Sequence, residues 1–295
     1  MPDRIPVEVD GRRLEISNLD KVLYPRAGFT KGEVLDYYTR IAPTMLPHLR
    51  GRPLTRTRYP NGVEGAGFFE KNAPAGTPEW VRTVPLPVPG SSKGREKIDF
   101  ILVDELATVV WLANLAALEL HTPQWRVDAE GRALDPDQLV VDLDPGPPAG
   151  LPECYEVALI LRERLAADGL EGAAKTSGKK GMQLVVPLSG AETADEVSGY
   201  AKEVAEELAR AHPKLIVAKM AKQLRPGKIF IDWSQNNAFK TTVAPYSLRA
   251  GPSPTVSAPL TWEEVETGEL TAADLTPAAV LERVSTRGDL LRRGS

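Results

Sequence analysis

Leu139-Val-Val-Asp142-Leu-Asp144-Pro-Gly146 is the most informative stretch of this 295-residue chain. Its apolar and β-branched residues predict a strand, whose alternation sends Asp142 and Asp144 to one face and the leucines to the other. Two carboxylates about 7 Å apart along a strand repel each other unless a cation lies between them. The pair therefore indicates a Mg²⁺ or Mn²⁺ site at the strand end, which Pro145-Gly146 closes. The alternative is an ordinary acidic strand end that runs into a turn.

A third carboxylate follows a similar strand, Lys228-Ile-Phe-Ile-Asp232-Trp-Ser-Gln-Asn236. Its alternation places Asp232 opposite the two isoleucines. If the two strands are sheet neighbours, Asp232 joins Asp142 and Asp144 in a cluster that binds hard cations and leaves positions for phosphate and water. Two-metal nucleotidyl transfer requires such an arrangement. A purely structural aspartate at a strand end is the alternative for Asp232 alone.

Between these strands lies a basic loop, Lys175-Thr-Ser177-Gly-Lys-Lys180-Gly-Met-Gln183. Small residues flank its lysines, so backbone N–H groups and ammonium groups can approach a polyphosphate closely. The spacing is not that of a Walker A motif, and the loop leads into an apolar strand rather than a helix. A solvated hairpin turn with ordinary lysines is the alternative.

Composition favours an intracellular globular enzyme. The single cysteine, Cys154, excludes an intrachain disulfide, and no Cys/His set has zinc-site spacing. The N-terminus lacks a secretory apolar core and no apolar run reaches membrane-spanning length, so we expect a cytoplasmic location. The net charge is −4, yet residues 214–249 carry seven Lys and Arg side chains against one carboxylate. This asymmetry suits a local phosphate-binding channel, with unrelated solvated lysines as the alternative.

Helix and strand signals alternate along the chain, without repeats or a domain-separating linker. Capping boxes and apolar stripes predict helices from Thr30 to about Ile41 and from Thr193 to just before Pro213, and a further helix runs from about Pro152 to Ala167. The apolar run from Ala107 to Leu120 predicts a largely buried helix, with His121 just past its end. The Pro-, Gly- and Ser-rich segment from Val84 to Glu96 predicts an exposed loop.

We expect one α+β domain over residues 1–295. A mostly antiparallel sheet flanked by helices holds the carboxylates and packs on an N-terminal mixed α/β module. The N-terminal module covers about 1–125 and the catalytic module about 126–295.

The order of these motifs resembles the polymerase domain of bacterial ligase D, a family of the archaeo-eukaryotic primase superfamily that works in non-homologous end joining. The resemblance rests on Asp142-Leu-Asp-Pro-Gly, Ser177-Gly-x-Lys-Gly, Phe230-Ile-Asp-Trp-Ser-Gln-Asn and Lys240-Thr-Thr-Val-Ala-Pro-Tyr-Ser-Leu-Arg249. Further similar strings are Ser17-Asn-Leu-Asp-Lys21, Phe68-Phe-Glu-Lys71 and the segment from Trp111 to Trp125. The resemblance spans nearly the whole chain and implies an archaeo-eukaryotic primase-polymerase core.

One position departs from the family pattern. Members usually read Ser-Gly-x-Lys-Gly-Leu-His where this chain has Ser177-Gly-Lys-Lys180-Gly-Met-Gln183. A neutral amide can hydrogen-bond a triphosphate oxygen, but it cannot carry the positive charge that histidine acquires near an anion. We expect an altered triphosphate affinity or pH dependence and, because the carboxylates are all present, no loss of catalysis.

The carboxylates predict attack of a 3′-hydroxyl on the α-phosphate of a nucleoside triphosphate, assisted by two Mn²⁺ or Mg²⁺ ions, with release of pyrophosphate. Lys180, Arg225 and Arg249 are the expected triphosphate clamps, because Arg offers bidentate geometry and Lys a point charge. Ser177 is a further hydrogen-bond donor to the same phosphates.

The resemblance adds nucleotide-pocket residues. His121 looks like the family histidine that meets the sugar of the incoming nucleotide, and Gln183 and Gln235 look like nucleotide-binding residues. A histidine that caps a helix end is the alternative for His121.

The resemblance also implies DNA contacts. Adjacent Phe68 and Phe69 offer a stacking platform for a template base, because stacking tolerates any base. Asn18, Lys21 and Lys31 resemble the pocket for the 5′-phosphate on the downstream strand of a gap. Core packing is the alternative for the phenylalanines, and plain surface lysines are the alternative for Lys21 and Lys31.

The sequence thus predicts a template-dependent DNA/RNA nucleotidyltransferase that, by resemblance, prefers ribonucleotides and Mn²⁺ and fills short gaps or ends during break repair. Its implied partners are gapped or broken DNA, NTP or dNTP, the end-binding protein Ku and a DNA ligase, and its implied place is the bacterial nucleoid. The competing hypotheses are a non-catalytic DNA-end-binding scaffold and a metal-dependent nuclease or phosphatase. Since no Lys-x-Asp-Gly ligase motif is present, we expect a stand-alone relative or one excised domain of a larger ligase.

Overall fold

The computed structural model describes residues 4–88 and 96–292. Its strands are β1 (Arg4–Val9), β2 (Arg12–Ser17), β3 (Val22–Tyr24), β4 (Phe29–Thr30), β5 (Thr55–Arg58), β6 (Phe68–Glu70), β7 (Thr83–Pro87), β8 (Lys97–Ile101), β9 (Ala117–Thr122), β10 (Trp125–Val127), β11 (Ala133–Pro136), β12 (Gln138–Pro145), β13 (Ala173–Thr176), β14 (Met182–Pro187), β15 (Ile216–Val217), β16 (Ile229–Asp232), β17 (Thr242–Val243), β18 (Leu248–Arg249), β19 (Thr255–Val256) and β20 (Pro259–Leu260). The α-helices are α1 (Lys31–Leu49), α2 (Leu106–Asn114), α3 (Leu151–Ala167), α4 (Ala194–Ala211), α5 (Trp262–Thr267) and α6 (Pro277–Arg287). Short 3-10 helices cover Lys222–Leu224, Trp233–Asn236 and Ala272–Asp274.

A six-stranded sheet in the order β15-β16-β12-β14-β13-β20 forms the larger layer. Only the β15–β16 pair is parallel among its described strand pairs. Leu139, Val141 and Leu143 are buried on one face of β12, where α3 and α4 contact the strand. The α+β class with a mostly antiparallel sheet flanked by helices is therefore confirmed, and strand alternation leaves the carboxylates on the other face.

A four-stranded antiparallel sheet in the order β17-β9-β5-β6 forms the second layer. Helices α1 and α2 pack against each other, and α2 contacts β9. Two buried tyrosines of α1 anchor this helix, because Tyr38 donates to the carbonyl of Leu118 in β9 at 2.6 Å and Tyr37 donates to the carbonyl of Tyr246, outside this sheet, at 2.7 Å. One large hydrophobic core runs through both layers.

The predicted helix from Ala107 to Leu120 is wrong in its second half. Helix α2 ends at Asn114, the chain turns at Ala116 with a φ of 57°, and β9 begins at Ala117. Both elements are buried, so their apolar residues form one unbroken run in which a buried helix and a buried strand look alike. His121 consequently lies within a strand, and its interpretation as a helix cap is wrong.

Helix α1 begins as predicted, with Thr30 and Glu33 forming a capping box, but it continues to Leu49 rather than ending near Ile41. It passes through two prolines at positions 43 and 47. Prolines normally disfavour a helix interior. Here Met45, Leu46 and Leu49 are buried after the first proline, and this burial offsets the lost backbone hydrogen bonds.

Of the other predicted boundaries, those of two helices agree with the structure and that of one loop does not. Helices α3 and α4 lie where the sequence predicts them, and Thr193 and Glu196 form the expected capping box. The predicted loop from Val84 to Glu96 is wrong at its start, because β7 extends to Pro87 and pairs with β8, while residues 89–95 lie outside the described residues. In the described part of the chain, no helix combines the length and apolarity needed to cross a membrane.

Candidate active site

Four side chains form a line across the open face of the six-stranded sheet. Lys175 of β13 pairs in register with Gln183 of β14, Gln183 with Asp142 of β12, and Asp142 with Asp232 of β16. Directly opposed residues of neighbouring strands point to the same face. Asp144 lies two residues beyond Asp142 on that face, so the expected three-carboxylate cluster forms where β12 ends.

Carboxylate oxygens of Asp142, Asp144 and Asp232 lie within 4.8 Å of one another. Burial and then the charge of Asp144 raise the pKa of Asp142 to about 7. Burial and then Asp232 also raise the pKa of Asp144. Three crowded oxygen-donor groups that resist ionisation together are a donor set that fits a hard divalent cation such as Mg²⁺ or Mn²⁺.

The 3-10 turn after β16 orients Asp232. Ser234 donates its backbone N–H to Asp232 Oδ1 at 3.1 Å, and Gln235 donates its amide to Oδ2 at 3.0 Å. Lys240 places Nζ 3.8 Å from Asp232 Oδ2 and also hydrogen-bonds Ser234 Oγ. Gln235 therefore supports a carboxylate, and Lys240 is a site residue that sequence reasoning missed. Its position in the Lys240-to-Arg249 string was the available signal.

Gln183 and Lys175 complete the line behind Asp142. Gln183 donates Nε2 to Asp142 Oδ1 at 2.7 Å, so its amide contacts a carboxylate in this structure. Lys175 is 2% exposed and donates Nζ to Val243 O at 3.0 Å and to Ser257 Oγ at 2.7 Å. Burial and then Arg249 lower the pKa of Lys175 to about 7. Sequence reasoning missed Lys175 as a buried cation because it looked like part of an exposed basic loop.

His121 of β9 and Arg249 of β18, a strand that contacts β9, lie beside this line of side chains. Arg249 Nη1 lies 3.2 Å from His121 Nε2, and since a guanidinium only donates, Nε2 accepts and the proton of neutral His121 sits on Nδ1. Burial and then Arg249 lower the pKa of His121 to about 4. Nδ1 is buried and has no hydrogen-bond partner among the described residues.

Glu119 holds two cations in place, and sequence reasoning missed it. Its Oε1 lies 2.9 Å from Lys179 Nζ and 3.6 Å from Arg249 Nε, and it accepts the Ala250 N–H at 3.0 Å. Burial alone raises the pKa of Glu119, but Arg249 and Lys179 together hold it below its ordinary value. Glu119 precedes His121 by two residues on β9, so strand alternation was the signal that could have found it.

The basic loop folds tightly over the end of β14. Ser177 Oγ accepts the N–H groups of Lys179 at 3.3 Å and Gly181 at 3.2 Å. Gly178 has a φ of +71°, and a Cβ there would lie 2.5 Å from Arg249 Cγ, so the turn requires glycine. Lys180 is exposed. The loop is a hairpin turn, which was the alternative interpretation of its sequence, and it borders a cleft.

Arg225 reaches the same cleft from the other side. Its guanidinium stacks over the Phe230 ring at 3.7 Å, and Nη2 donates to Met220 O at 2.9 Å. A Cβ on Gly146 would lie 2.1 Å from the Arg225 carbonyl oxygen. Gly146, which follows strand β12, therefore allows the Arg225 backbone to approach the carboxylate cluster.

A cavity of about 1190 Å³ joins these groups. Its lining includes most of the predicted catalytic and nucleotide-binding residues: His121, Asp142, Asp144, Ser177, Lys180, Gln183, Arg225, Gln235 and Arg249. Asp232 is not itself a lining residue, but it accepts a hydrogen bond from Gln235, which is. The cleft is therefore acidic at its floor and basic along its walls, which suits a metal-bound polyphosphate.

The predicted DNA-contact residues lie outside this cavity. Phe68 is 47% exposed and Phe69 is 60% exposed on β6, so core packing is wrong for both. Phe69 pairs with Thr57, which pairs with Glu119. The register thus places Phe69 on the same sheet face as His121.

The remaining predicted group lies near the start of α1. Lys31 is buried and donates Nζ to Ser17 O at 2.5 Å and to Asn114 Oδ1 at 2.7 Å. Burial and then Lys21 lower its pKa to about 8, so Lys31 is not a plain surface lysine. Lys21 is exposed, with Nζ 3.3 Å from Asn61 Oδ1. Asn18 is exposed and has a φ of 56°.

Fold and site together define an α+β domain with a carboxylate cluster in a basic cleft, an arrangement suited to phosphoryl and nucleotidyl transfer. The model of the family described as the LigD primase-polymerase domain matches residues 30–291. The chain belongs to this family, and the resemblance identified from the motifs is confirmed.

Relatives and a solved structure agree. The chain is 43% identical over 280 residues to the multifunctional non-homologous end joining protein LigD of Mycolicibacterium smegmatis, covering 95% of this chain and 36% of that protein. It is 32% identical over 277 residues to the bifunctional LigD of Bacillus subtilis, covering 94% of this chain and 43% of that protein. The chain thus spans well under half the length of these relatives.

The structure is similar to that of the polymerase domain of Mycobacterium tuberculosis ligase D in complex with DNA. The TM-score is 0.89 at 41% identity, and the match covers 95% of this chain and 96% of that one. The similarity thus covers both sheets and the cleft between them.

Proposed function

We propose that this chain is a template-dependent DNA/RNA nucleotidyltransferase that prefers ribonucleotides and fills short gaps or ends in DNA break repair by non-homologous end joining. The cluster of three carboxylates facing a basic cleft carries this proposal. Membership of the LigD primase-polymerase family supports it. So does the similarity to a polymerase domain in complex with DNA.

The chain's own residues divide the work of holding the nucleotide. Arg249, Lys180 and Arg225 bind the triphosphate, and Ser177 donates its hydroxyl proton to the same phosphates. Neutral His121 is held by Arg249 and lines the part of the cleft that takes the sugar of the incoming nucleotide. Because His121 stays uncharged near neutral pH, it selects by shape and hydrogen bonding rather than by charge.

Two Mn²⁺ or Mg²⁺ ions held by Asp142, Asp144 and Asp232 would neutralise the triphosphate and lower the pKa of the attacking 3′-hydroxyl. Gln183, Ser234 and Gln235 orient the oxygens of these carboxylates. Their amide and N–H donors fix which lone pairs face the cleft. The reaction joins the 3′-oxygen to the α-phosphate and releases pyrophosphate.

We propose that DNA binds along the surface beside the cleft. Exposed Phe68 and Phe69, which point to opposite faces of β6, offer separate stacking surfaces for template bases, and Asn18, Lys21 and Lys31 bind a downstream 5′-phosphate. The buried Lys31 ammonium is already fixed by two oxygen acceptors, so it is ordered before the phosphate arrives. A cytoplasmic, nucleoid-associated location and the partners Ku and a DNA ligase belong to the same proposal; the names of the relatives support only its placement in non-homologous end joining.

Nucleotide incorporation on a gapped duplex tests the function. The assay compares substrates with and without a 5′-phosphate, rNTP with dNTP, and Mn²⁺ with Mg²⁺. We expect extension with pyrophosphate release, stimulated by the 5′-phosphate and favoured by rNTP and Mn²⁺. Release of nucleoside monophosphate would instead support a nuclease, and DNA binding without metal-dependent incorporation would support a scaffold.

Matched variants assign the activity to the cluster. Asp142→Asn and Asp144→Asn should abolish extension while leaving DNA binding in place, because the basic walls and the aromatic platform are unchanged. Asp36→Asn is the control, since its carboxylate is 65% exposed on α1. Full activity in either cluster variant would overturn the proposal.

A further inference from the structure

A second cavity, of about 320 Å³, lies beside the active-site cleft. Its walls come mainly from the β7–β8 hairpin, the β10–β11 hairpin and the segment 238–241, and its larger apolar side chains include Leu86, Phe100, Trp125, Leu134 and Phe239. The volume is at the lower end of the range of about 300–1,000 Å³ that small-molecule sites span. Apart from Lys240 and Thr241, the residues that line this cavity are not among those that line the active-site cleft or contact its carboxylates.

The cavity presents polar groups as well as apolar walls. Thr55 contributes to its lining and is fully buried, and its Oγ1 has no hydrogen-bond partner among the described residues. A buried hydroxyl without a partner costs free energy unless a ligand or water satisfies it. Lys71 and Lys240 also line the cavity, against one carboxylate, Asp135. The charge at this cavity therefore favours an anionic chain.

Two aromatic residues line this cavity in different ways: Trp125 is held by a hydrogen bond, and Phe239 is largely exposed. Trp125 donates Nε1 to Ala238 O at 2.8 Å, which ties the β10–β11 hairpin to the segment that carries Phe239. Phe239 is 60% exposed and Leu134 is 50% exposed, so large apolar surfaces remain uncovered. Exposed aromatic surface at a built cavity marks a binding site more often than a stability element.

The cavity continues into the active-site cleft. Thr241 lines both cavities, and Lys240, which lines the second, places Nζ 3.8 Å from Asp232 Oδ2. A strand of nucleic acid bound at the cleft can therefore pass the second cavity without leaving the protein surface.

We propose that this second cavity binds an unpaired nucleobase of a DNA or RNA strand that passes the active-site cleft. A planar base fills an apolar slot, stacks on Phe239, and offers an edge that hydrogen-bonds Thr55 Oγ1, while Lys71 contacts the backbone phosphate. An aliphatic ligand would leave Thr55 unsatisfied and would not use the lysine. The inference rests on the proposed function, because that function supplies the strand.

Fluorescence anisotropy with two labelled single strands tests the inference, namely a dA oligonucleotide and an abasic oligonucleotide of equal length. Stacking on one aromatic residue contributes a factor of about 5 to 150 in affinity. Phe239→Ala should weaken binding of the dA strand by such a factor and leave abasic binding unchanged. Phe239→Trp should retain dA binding, and Thr55→Val should weaken it less than Phe239→Ala does.

Ile5→Ala is the matched control, since Ile5 is 45% exposed on β1, which contributes no lining residue to either cavity. Equal loss of dA and abasic binding in Phe239→Ala, or no loss of either, overturns the inference. Competition by millimolar adenosine that disappears in Phe239→Ala would show that the cavity also takes free nucleosides. The binding assay needs no incorporation, so failure of the polymerase proposal and failure of the base site are distinguishable.

Discussion

At the scale of single residues, the carboxylate cluster makes the metal-free protein sensitive to pH. The pKa of Asp142 is raised to about 7 by burial and Asp144, whereas in an unfolded chain it is about 3.9. The folded state therefore binds the carboxyl proton of Asp142 more tightly than the unfolded state does. The protein loses stability as the pH rises from about 3.9 to about 7.

Asp142→Asn should remove that loss. We expect the melting temperature in EDTA to exceed that of the unaltered protein near pH 7.5 and to differ little near pH 4, because asparagine carries no charge at either pH. Thermal unfolding between about pH 4 and 8 measures this. Asp36→Asn should keep the original profile, and an Asp142→Asn variant with an unchanged slope would contradict the explanation.

Glu119 positions two cationic side chains that line the cleft, Lys179 and Arg249. Glu119→Gln removes the charge that faces Lys179 and Arg249, so both cations lose their fixed partner. We expect the KM for the nucleotide to rise about tenfold, with a smaller change in kcat, because the lost interaction orders the ground-state binding site. Steady-state incorporation kinetics measure both constants. Glu163→Gln, on the exposed face of α3, should change neither, and a loss confined to kcat would rule out a positioning role.

At the scale of elements, the helix that supports the Asp232 turn begins with a cap. Thr193 Oγ accepts the Glu196 N–H at 3.3 Å, and α4 contacts the 3-10 turn that orients Asp232. Thr193→Ala should lower the free energy of unfolding by about 1 kcal/mol and leave kcat unchanged, because neither Thr193 nor Glu196 lines the active-site cleft. Urea denaturation measures the first quantity. Thr286→Ala, within α6, removes a hydroxyl that caps no helix start and should cost less.

Elements with a local signal were predictable, and those defined by tertiary contacts were not. The alternation of β12 and β16 predicted which face carries each aspartate, and the three-carboxylate cluster followed only on the condition that the two strands are neighbours, which the structure meets. Capping boxes located the starts of α1 and α4. The α2–β9 boundary has no such signal, since Ala116 adopts its left-handed conformation without a glycine. The roles of Glu119, Lys175 and Lys240 depend on which strands become neighbours. A local sequence pattern does not predict the pairing of strands that are far apart in the chain.

At the scale of the whole molecule, we propose that residues 1–295 form one folding unit with the module boundary near residue 125. Contacts that cross the boundary are buried or short: Tyr37 to Tyr246 O at 2.7 Å, Arg52 to Asp137 at 2.6 Å, and the pairing of β17 with β9. We expect one denaturant transition, coincident by far-UV circular dichroism and tryptophan fluorescence. Two separate transitions, or cooperative unfolding of residues 1–125 alone, would contradict this proposal.

The alternation of β12 also protects the protein against its own misfolding. A slip of one position in the pairing of this strand would turn Asp142 and Asp144 inward against α3 and expose Leu139, Val141 and Leu143 to water. Both consequences raise the free energy of the shifted arrangement, so the native register is favoured. The carboxylate cluster and the correct strand alignment are thus linked, because a molecule that pairs β12 in its native register brings Asp142, Asp144 and Asp232 together.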